Sequence, residues 1–385
     1  MPKLFIVRLR SGDYGIFARA KGIALALSII LSIVFMLGYA DVALADENQV
    51  TTLSLDEAVE LALQNSKALQ QAENNIDKAK IERDDAWDTY NAVLFSTHIP
   101  GTDMYVSLPT GADPQGLVFK TDLAWKTAQK DCDTLKEQIM ADVHKSYFNI
   151  LQLQAQLEAV KQSLASKERD WQDTKARWRA GMDVIFNVNQ KRAAIVAEKA
   201  NQVKVEDALQ KGYADLAQLV GLPEGSSPEL SLDVAFQPVK VDNLDQAIDQ
   251  IIDSSPDIWK AEQAVELQED TYAMLNSADV DRYNLRNARI SADMAKDGLR
   301  KGLLGAYYSI LDLESAYEAA REGVEIAQEA LRIAHLKYEV GMATKGEVLA
   351  AEAALTGAKQ QLLGLTIQHE LAVKAFWQPW AWQNP

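Results

Sequence analysis

The sequence predicts an almost all-α protein of long antiparallel coiled-coil hairpins, organised as two copies of one structural unit. Three observations predict this fold. The chain has no proline between Pro114 and Pro223, and none between Pro256 and Pro379. Apolar residues recur at alternating spacings of three and four, which is the coiled-coil pattern. Several short motifs also occur twice in the same order, which indicates a tandem repeat.

The repeat is visible as three short motifs. The pairs are Leu55–Val59 with Leu244–Ile248, Tyr147–Leu151 with Tyr307–Leu311, and Trp178–Met182 with Tyr338–Met342. The numbering offset is larger within the first pair than within the other two, so the second copy is the shorter of the two. The segment that the second copy lacks is present only once in the protein, so its identity bears on the function.

Residues 1–45 have the composition of an export signal. Basic residues up to Lys21 precede a mostly apolar run from Ile23 to Ala40, and Ala43–Ala45 supplies an A-x-A cleavage sequence. This apolar run also reaches the lower length limit for a transmembrane helix. The sequence predicts either a cleaved signal peptide or a retained N-terminal anchor, and both place the remaining chain outside the cytoplasm.

The composition excludes several classes of function. A formal net charge of −16 without a concentrated basic patch disfavours nucleic acid as a partner. The only cysteine, Cys132, cannot form an internal disulfide, so the fold must depend on packing. The chain contains no P-loop, dinucleotide-binding fingerprint or nucleophile elbow, so neither an enzyme nor a cofactor is predicted.

The first structural repeat is predicted to span residues 46–222. Ser54 followed by Glu57 forms a capping box at the start of a short helix. The stretch 121–180 contains neither glycine nor proline and predicts one helix of about 90 Å. Its coiled-coil seam comprises Ile150, Leu153, Leu157, Val160 and Leu164. Many alanines flank this seam, so each helix can pack neighbours on two sides.

A different region lies near residues 93–119. It is rich in proline and glycine, and Met104–Leu108 and Gly116–Phe119 are predicted as two short strands of a small β-hairpin. The second repeat has only residues 276–284 at this place, which predict a simple turn. The part of the unit that the second repeat lacks is essentially this region.

Glycines mark the ends of the long helices. Gly181 and Gly341 lie at equivalent places and predict left-handed caps at the tips of two helical hairpins. The proline- and glycine-rich residues 223–243 are predicted to link the repeats, and the second repeat is predicted to span 244–376. The tail 377–385 contains three tryptophans, which either anchor at a membrane interface or pack against the helices.

The repeated unit resembles the outer-membrane efflux protein family, the TolC type. The resemblance rests on Leu55–Leu63 at the opening, on Tyr338–Gly341 followed by Glu347–Leu349 at a hairpin tip, and on Gln218–Pro223 between the repeats. It covers about residues 53 to 376. It implies a homotrimer in which helical hairpins form a tunnel, an α-barrel, below a β-barrel in the outer membrane.

The resemblance also implies partners and a docking site. The hairpin tips of the family meet a periplasmic adaptor protein, which connects the tunnel to an inner-membrane pump. The matching tip residues are Gly181, Met182, Asp183 and Val184, and Gly341, Met342, Ala343 and Thr344. Plain helix capping explains both Gly-Met pairs equally well.

The family often narrows its tunnel near the tips with acidic residues. The matching positions here hold Glu347 and Ala350 in the second repeat, and Asn187 and Gln190 in the first. Only Glu347 keeps the charge, and a ring of such carboxylates attracts cations and resists closure. A solvated glutamate on a helix surface is the alternative interpretation.

The region 93–119 is too short for the family's usual barrel, because membrane strands need about 9–11 residues and bacterial barrels have at least 8 strands. We therefore expect a divergent family member with truncated or lost barrel segments. Its expected location is the extracytoplasmic cell envelope. The family implies the outer membrane, but the barrel segment of this chain is too short to span it. The expected function is a passive exit duct for efflux or secretion. The alternatives are a barrel-less envelope scaffold or spacer that binds adaptor coiled coils, and an N-terminally anchored stalk.

Overall fold

The computed structural model describes residues 52–96, 114–231, 234–275 and 279–382. The predicted export signal and the predicted strand Met104–Leu108 lie outside the described residues. The described residues form nine helices and two short strands. In chain order these are β1 (Thr52–Leu53), α1 (Leu55–Asn65), α2 (Lys67–Ser96), α3 (Pro114–Arg179), α4 (Ile185–Val220), β2 (Glu229–Leu230), α5 (Leu244–Ser254), α6 (Pro256–Leu275), α7 (Asp279–Glu339), α8 (Lys345–Trp377) and α9 (Pro379–Trp382).

The longest helices match the glycine- and proline-free stretches of the sequence. Helix α3 has 66 residues, which corresponds to about 100 Å. Helices α2 and α4, of 30 and 36 residues, pack against its first and second halves. The second repeat uses the same plan, with α6 and α8 packed along α7. The predicted all-α fold with long hairpins is confirmed.

Contacts between the hairpins place α4, α3, α8 and α7 side by side in that order. Between α4 and α3, the Lys167 ammonium lies 2.6 Å from the Glu198 carboxylate. Helix α8 approaches α3 closely at Gly364, where an added Cβ would lie 3.4 Å from Nε2 of Gln152. The two hairpins thus form one layer, in which α4 and α7 are the outer helices.

Two hydrophobic clusters stabilise the layer, one in each repeat. The first is centred on Tyr147, Ile150 and Leu216, all of which are fully buried. The second is centred on Ile310 and Phe376. Ile150 belongs to the predicted seam, and Ile310 is its counterpart in the motif pair of the second repeat, so equivalent residues lie in the core of both repeats.

The two strands join the start of the first repeat to the segment between the repeats. β1 and β2 pair in parallel, with Leu53 opposite Leu230. The Tyr147 hydroxyl lies 2.8 Å from the Leu53 carbonyl oxygen and 2.9 Å from the Ser231 carbonyl oxygen. It fastens both strands to α3, because its proton is within hydrogen-bond reach of either oxygen.

The predicted caps agree with the structure. The Ser54 hydroxyl accepts a hydrogen bond from the Glu57 amide at 3.3 Å, while the Glu57 carboxylate accepts one from the Ser54 amide at 2.9 Å. Gly181 and Gly341 have φ values of 72° and 74°, so both lie in the left-handed region expected of a glycine cap.

Two local predictions are wrong. Gly116–Phe119 is helical and belongs to α3, which begins at Pro114. Proline is favoured at the first helical position, because its fixed φ suits the helix and its missing N–H needs no partner there. Residues 279–284 also belong to a helix, α7, instead of a turn. Residues 276–278 lie outside the described part of the chain.

The described part of the tryptophan tail packs against the helices. The Trp380 indole N–H donates a hydrogen bond to the Glu137 carboxylate. The backbone carbonyl of Trp380 accepts one from the side-chain amide of Gln138 at 3.3 Å. The Lys145 ammonium lies 5.3 Å from the Trp382 ring centre. Within the described ranges no helix is long and apolar enough to cross a membrane.

Candidate functional site at the hairpin tips and helix edges

The two hairpin tips share one backbone geometry. At the first tip the Met182 amide donates to the Arg177 carbonyl at 2.9 Å, and at the second the Met342 amide donates to the Lys337 carbonyl at 2.7 Å. These are the bonds of a Schellman cap, which satisfies carbonyls at a helix end. An added Cβ at Gly181 or Gly341 would meet no atom within 4 Å, so the left-handed φ alone requires glycine there.

The helices that leave the tips begin with different caps. At the first tip the Asp183 carboxylate accepts from the Asn187 side chain at 2.6 Å and from the Val184 amide at 2.8 Å. These two hydrogen bonds lower the pKa of the Asp183 carboxyl. At the second tip the Thr344 hydroxyl accepts from the Glu347 amide at 3.2 Å. Helix α8 thus begins with a side-chain cap from its N-cap residue Thr344, whereas the N-cap residue of α4, Val184, makes no such bond and the preceding Asp183 binds Asn187 instead.

Both tips expose apolar side chains. Met182 is 73% exposed and Met342 is 77% exposed, although methionine is usually buried. Val184, Ile185 and Phe186 are also exposed at the first tip. The second tip has Thr344, Lys345 and Gly346 at the equivalent positions. The first tip therefore presents the larger apolar surface.

The predicted constriction residues lie one or two turns above the tips. Asn187 is bound to Asp183, whereas Gln190 and Glu347 are exposed. Glu347 belongs to the α7/α8 hairpin, while Asn187 and Gln190 belong to the α3/α4 hairpin. A single protomer does not surround an axis with these side chains, so a constriction requires several copies.

The outer face of α4 carries a second coiled-coil stripe, which was not predicted from the sequence. We call it the α4 edge, and it consists of Phe186, Ala193, Val196, Ala200 and Val203. All five residues are exposed, and Val196 is 62% exposed. Their spacing of seven, three, four and three is that of a helix seam. The available signal was the recurrence of apolar residues at these spacings in α4 itself.

The outer face of α7 carries a corresponding stripe. We call it the α7 edge, and it consists of Ala319, Ile326 and Ile333 of α7 and of Val340 directly after the helix, at spacings of seven. These four residues are exposed, and Ile326 is 71% exposed. Counted along their helices from Met182 and Met342, Val196 and Ile326 both lie about 20–25 Å from the tips. The two edges are therefore at the same height of the layer.

The two edges differ little in charge. Residues 186–203 of the α4 edge include three basic residues and one acidic residue, and residues 319–340 of the α7 edge include four acidic and three basic residues. Lys191 and Lys199 form ion pairs with Asp170 and Glu168 of α3, at 2.7 and 2.9 Å. Two surfaces that match in apolar spacing and in height fit each other if they belong to neighbouring copies. Contact between different surfaces of identical chains is heterologous, and it generates a ring when the rotation closes.

Among the described residues no group of three or more histidine, cysteine, aspartate or glutamate side chains could hold a metal ion. Cys132 is buried in α3, and burial raises the pKa of its thiol. The features that distinguish the candidate site are the exposed apolar side chains of the hairpin tips and of the α4 and α7 edges.

This arrangement, a single layer of two long helical hairpins joined by a short strand pair, is the protomer fold of TolC-type outer-membrane channels. The chain belongs to the outer membrane efflux protein family, whose family model matches residues 124–222 and 275–376.

Individual relatives are distant in sequence. The outer membrane protein TolC of Vibrio cholerae serotype O1 is 24% identical over 210 residues, which cover 54% of this chain and 42% of that protein. The match thus spans less than half of that relative's length.

Solved channels share the fold at low identity. The outer membrane protein VceC of Vibrio cholerae is similar with a TM-score of 0.55 and 17% identity, over 84% of this chain and 96% of VceC. The open-state MtrE outer membrane channel of Neisseria gonorrhoeae gives a TM-score of 0.59 and 16% identity, over 85% of this chain and 88% of MtrE.

Proposed function

We propose that copies of this protein assemble edge to edge into a helical tube, which serves as the passive exit duct of an efflux or secretion system in the cell envelope. The observation that carries this proposal is the pair of complementary edges on α4 and α7. In the tube, the α4 edge of each protomer packs against the α7 edge of the next. Three protomers, the number implied by the family, provide twelve helices around the axis.

Packing energetics favour this assembly over an isolated protomer. Exposed valine and isoleucine side chains each gain about 1.5–3 kcal/mol when fully buried. Alanines at 193, 200 and 319 let the helix backbones approach each other.

The tips are the proposed docking site for a periplasmic adaptor, which connects the duct to an inner-membrane pump. Met182 and Met342 are exposed on rigid caps, and methionine adapts to varied partner surfaces. The exposed valine and isoleucine of the first tip extend this apolar surface. Energy for transport comes from the pump, since the chain has no nucleotide-binding motif.

Three copies of Glu347 on the α7/α8 hairpins form the proposed constriction, with Asn187 and Gln190 as neutral neighbours. Like charges around a narrow axis repel one another and attract cations.

The proposed protomer consists of two repeats, residues 46–222 and 244–376, which the linker 223–243 joins. Residues 1–45 are proposed to direct export.

A cellular export assay tests the duct. Deletion of the gene is expected to raise the accumulation of a fluorescent efflux substrate, and the intact protein is expected to restore export. Met182→Glu combined with Met342→Glu is expected to reduce export about tenfold or more, because roughly 1.4 kcal/mol of docking energy is lost. Both side chains are exposed, so folding is expected to be unaffected.

The matched control replaces the same two methionines by leucine, which preserves the apolar surface and is expected to preserve export. If deletion alters the spacing or integrity of the envelope while accumulation stays unchanged, the duct is wrong and the scaffold alternative is correct. If the glutamate variant exports normally, the tips are not the docking site.

A further inference from the structure

Helices α1 and α5 and the segment between the repeats pack on one face of the helix layer, which we call the covered face. Leu55 of α1 and residues 234–240 line one groove on this face, together with Phe148 of α3 and Val373 of α8. Val239 also packs against the hydrophobic cluster to which α5 belongs. The short elements of both repeats therefore lie on the same side of the long helices.

The second hairpin holds the segment between the repeats on the covered face. The Val239 amide donates a hydrogen bond to the Glu314 carboxylate of α7 at 2.6 Å. The Phe236 ring is parallel to the Tyr317 ring of α7, with centroids 3.6 Å apart and an interplanar angle of 6°. The covered face is thus fixed by contacts within one protomer.

In the proposed tube the covered face points outward. Twelve helices at interaxial distances of about 8–10 Å enclose a bore of roughly 20–30 Å. Helices α1 and α5 of three copies are six helices, each about 10 Å across with its side chains, and they would fill that bore. The opposite face of the layer, which we call the inner face, therefore lines the tube.

Helix α8 presents glutamines on the inner face. Gln368 precedes Glu370 of the covered groove by two residues, which is about 200° around an α-helix, so the two side chains lie on opposite faces. Gln361 is seven residues earlier and shares the face of Gln368. Both side chains are exposed, and they line one groove together with Gln360.

Helix α3 adds amides to the same face. Asn149 lies two residues after Tyr147, which binds both strands on the covered face. Gln152 and Gln156 follow Asn149 by three and seven residues and therefore share its face. Gln152 reaches the groove of α8, where its Nε2 lies 3.4 Å from a Cβ added at Gly364. We call this surface the amide belt, and it consists of Asn149, Gln152, Gln156, Gln360, Gln361 and Gln368.

The amide belt is neutral and open to solutes. Within the described part of the chain, no charged side chain lines its groove, and none of its six amides has a hydrogen-bond partner. By contrast Gln154, two residues from Gln152, donates to the Tyr213 hydroxyl at 2.7 Å. Each side-chain amide offers both donors and an acceptor, so it can bond to polar groups of either kind.

We propose that the amide belt is the lining that substrates contact in the middle of the duct, and that it passes polar substrates without selecting their charge. Rings of charged side chains select solutes by the sign of their charge, and the belt supplies hydrogen bonds without such a ring. Selection by charge then falls to the proposed Glu347 constriction near the tips. This inference deepens the proposed duct and depends on it.

Cysteine accessibility in the assembled full-length protein tests the location of the belt. Gln361→Cys lies on the inner face, and Gln237→Cys, at an exposed position of the covered face, is its matched control. The native Cys132 is 1% exposed and stays unreactive. A small maleimide is expected to label both variants, whereas a polymer-linked maleimide wider than the bore labels Gln237→Cys at least about tenfold faster. Adding Val196→Glu, which disrupts the α4 edge, is expected to remove this difference.

Charge substitution tests the lining. Gln361→Lys combined with Gln368→Lys places rings of positive charge around the axis, and both positions are exposed, so folding is expected to be unaffected. Cellular export of ethidium, a cation, is expected to fall about tenfold or more, while export of the uncharged dye Nile red stays unchanged. Gln237→Lys, on the outside, is expected to alter neither.

The outcomes separate the belt from the duct. Fast polymer labelling of Gln361→Cys in a trimer verified by light scattering would overturn the belt while leaving the duct intact. Ethidium export that is insensitive to the two lysines, or an equal loss of both dyes, would overturn the belt as well. A protein that forms no trimer, or that exports neither dye before substitution, would contradict the proposed duct, and the belt with it.

Discussion

Val196→Glu is expected to leave the protomer folded and to abolish its assembly. Val196 is 62% exposed on the α4 edge, so the substitution costs little in an isolated chain. In the proposed tube the new carboxylate is buried against the apolar residues of the α7 edge of the next copy. Burying it there is expected to weaken each contact by roughly 3 kcal/mol, on the order of 100-fold. Light scattering and circular dichroism measure the loss of assembly and the retained helix content.

Three controls make this experiment specific. Val196→Ala preserves an apolar edge and is expected to assemble. Ile326→Glu, on the α7 edge, is expected to fail as Val196→Glu does. A mixture of the two glutamate variants has one intact edge of each kind and is expected to give 1:1 dimers without larger rings. Normal assembly of either glutamate variant would show that these edges are not the interface.

Gly221→Ala is expected to destabilise the protomer by about 3–4 kcal/mol. Gly221 caps α4 with a φ of 80°, which costs an alanine about 1–2 kcal/mol. An added Cβ would also lie 2.8 Å from Cγ of Asn65. The Asn65 side chain must then move, which breaks its hydrogen bonds to the Val220 and Leu61 carbonyls, each worth about 1 kcal/mol.

Gly225→Ala is the matched control, because Gly225 has a φ of 84° but an added Cβ there meets nothing within 4 Å. It is expected to cost only about 1–2 kcal/mol. Thermal and denaturant unfolding at one protein concentration measure both variants. Adding Asn65→Ala to Gly221→Ala is expected to be less than additive, because the hydrogen bonds of Asn65 are already lost in Gly221→Ala and the clash with its Cγ and Nδ2 disappears, while the contact with its Cβ at 2.9 Å remains. Equal destabilisation by the two glycine substitutions would show that Asn65 is not in contact.

The sequence predicted the long helices well because their signal is local. A long stretch without glycine or proline, with apolar residues at spacings of three and four, has few alternatives to a continuous helix. The helix nevertheless extends further, to Pro114, through a glycine that was assigned to a strand. A proline and a glycine within one turn of each other usually indicate a break in a helix. A proline at the first helical position is different, because it is compatible with a helix that begins there.

The strand pair and the packing of residues 236–239 against the second hairpin could not be predicted in this way. β1 and β2 have two residues each, and Thr52 pairs with Glu229 across most of the first repeat. Such short strands show no periodicity, and their pairing depends on Tyr147 reaching both backbones. Likewise, His369 and Glu314 are far apart in the chain and meet only because α7 and α8 form a hairpin. Such contacts follow from the tertiary fold.

The sequence locates one part of the proposed functional surface, the hairpin tips. The tip glycines and methionines were identified because they end two long periodic stretches, and the structure places them on equivalent caps. The α4 and α7 edges were overlooked because the predicted seams are only those that each helix uses within the protomer. A second stripe with the same spacing on the opposite face indicates a neighbour outside the chain.

Cysteine crosslinking tests the proposed tube most directly. Val196→Cys and Ile326→Cys are introduced together, while the native Cys132 is buried at 1% exposure and stays inert. Mild oxidation is expected to give a ladder of disulfide-linked species that ends at three copies, whereas either cysteine alone gives only monomers. A ladder that continues beyond three would contradict a closed trimer. Dimers from either single cysteine variant, or no crosslinking of the double variant, would contradict the edge-to-edge tube.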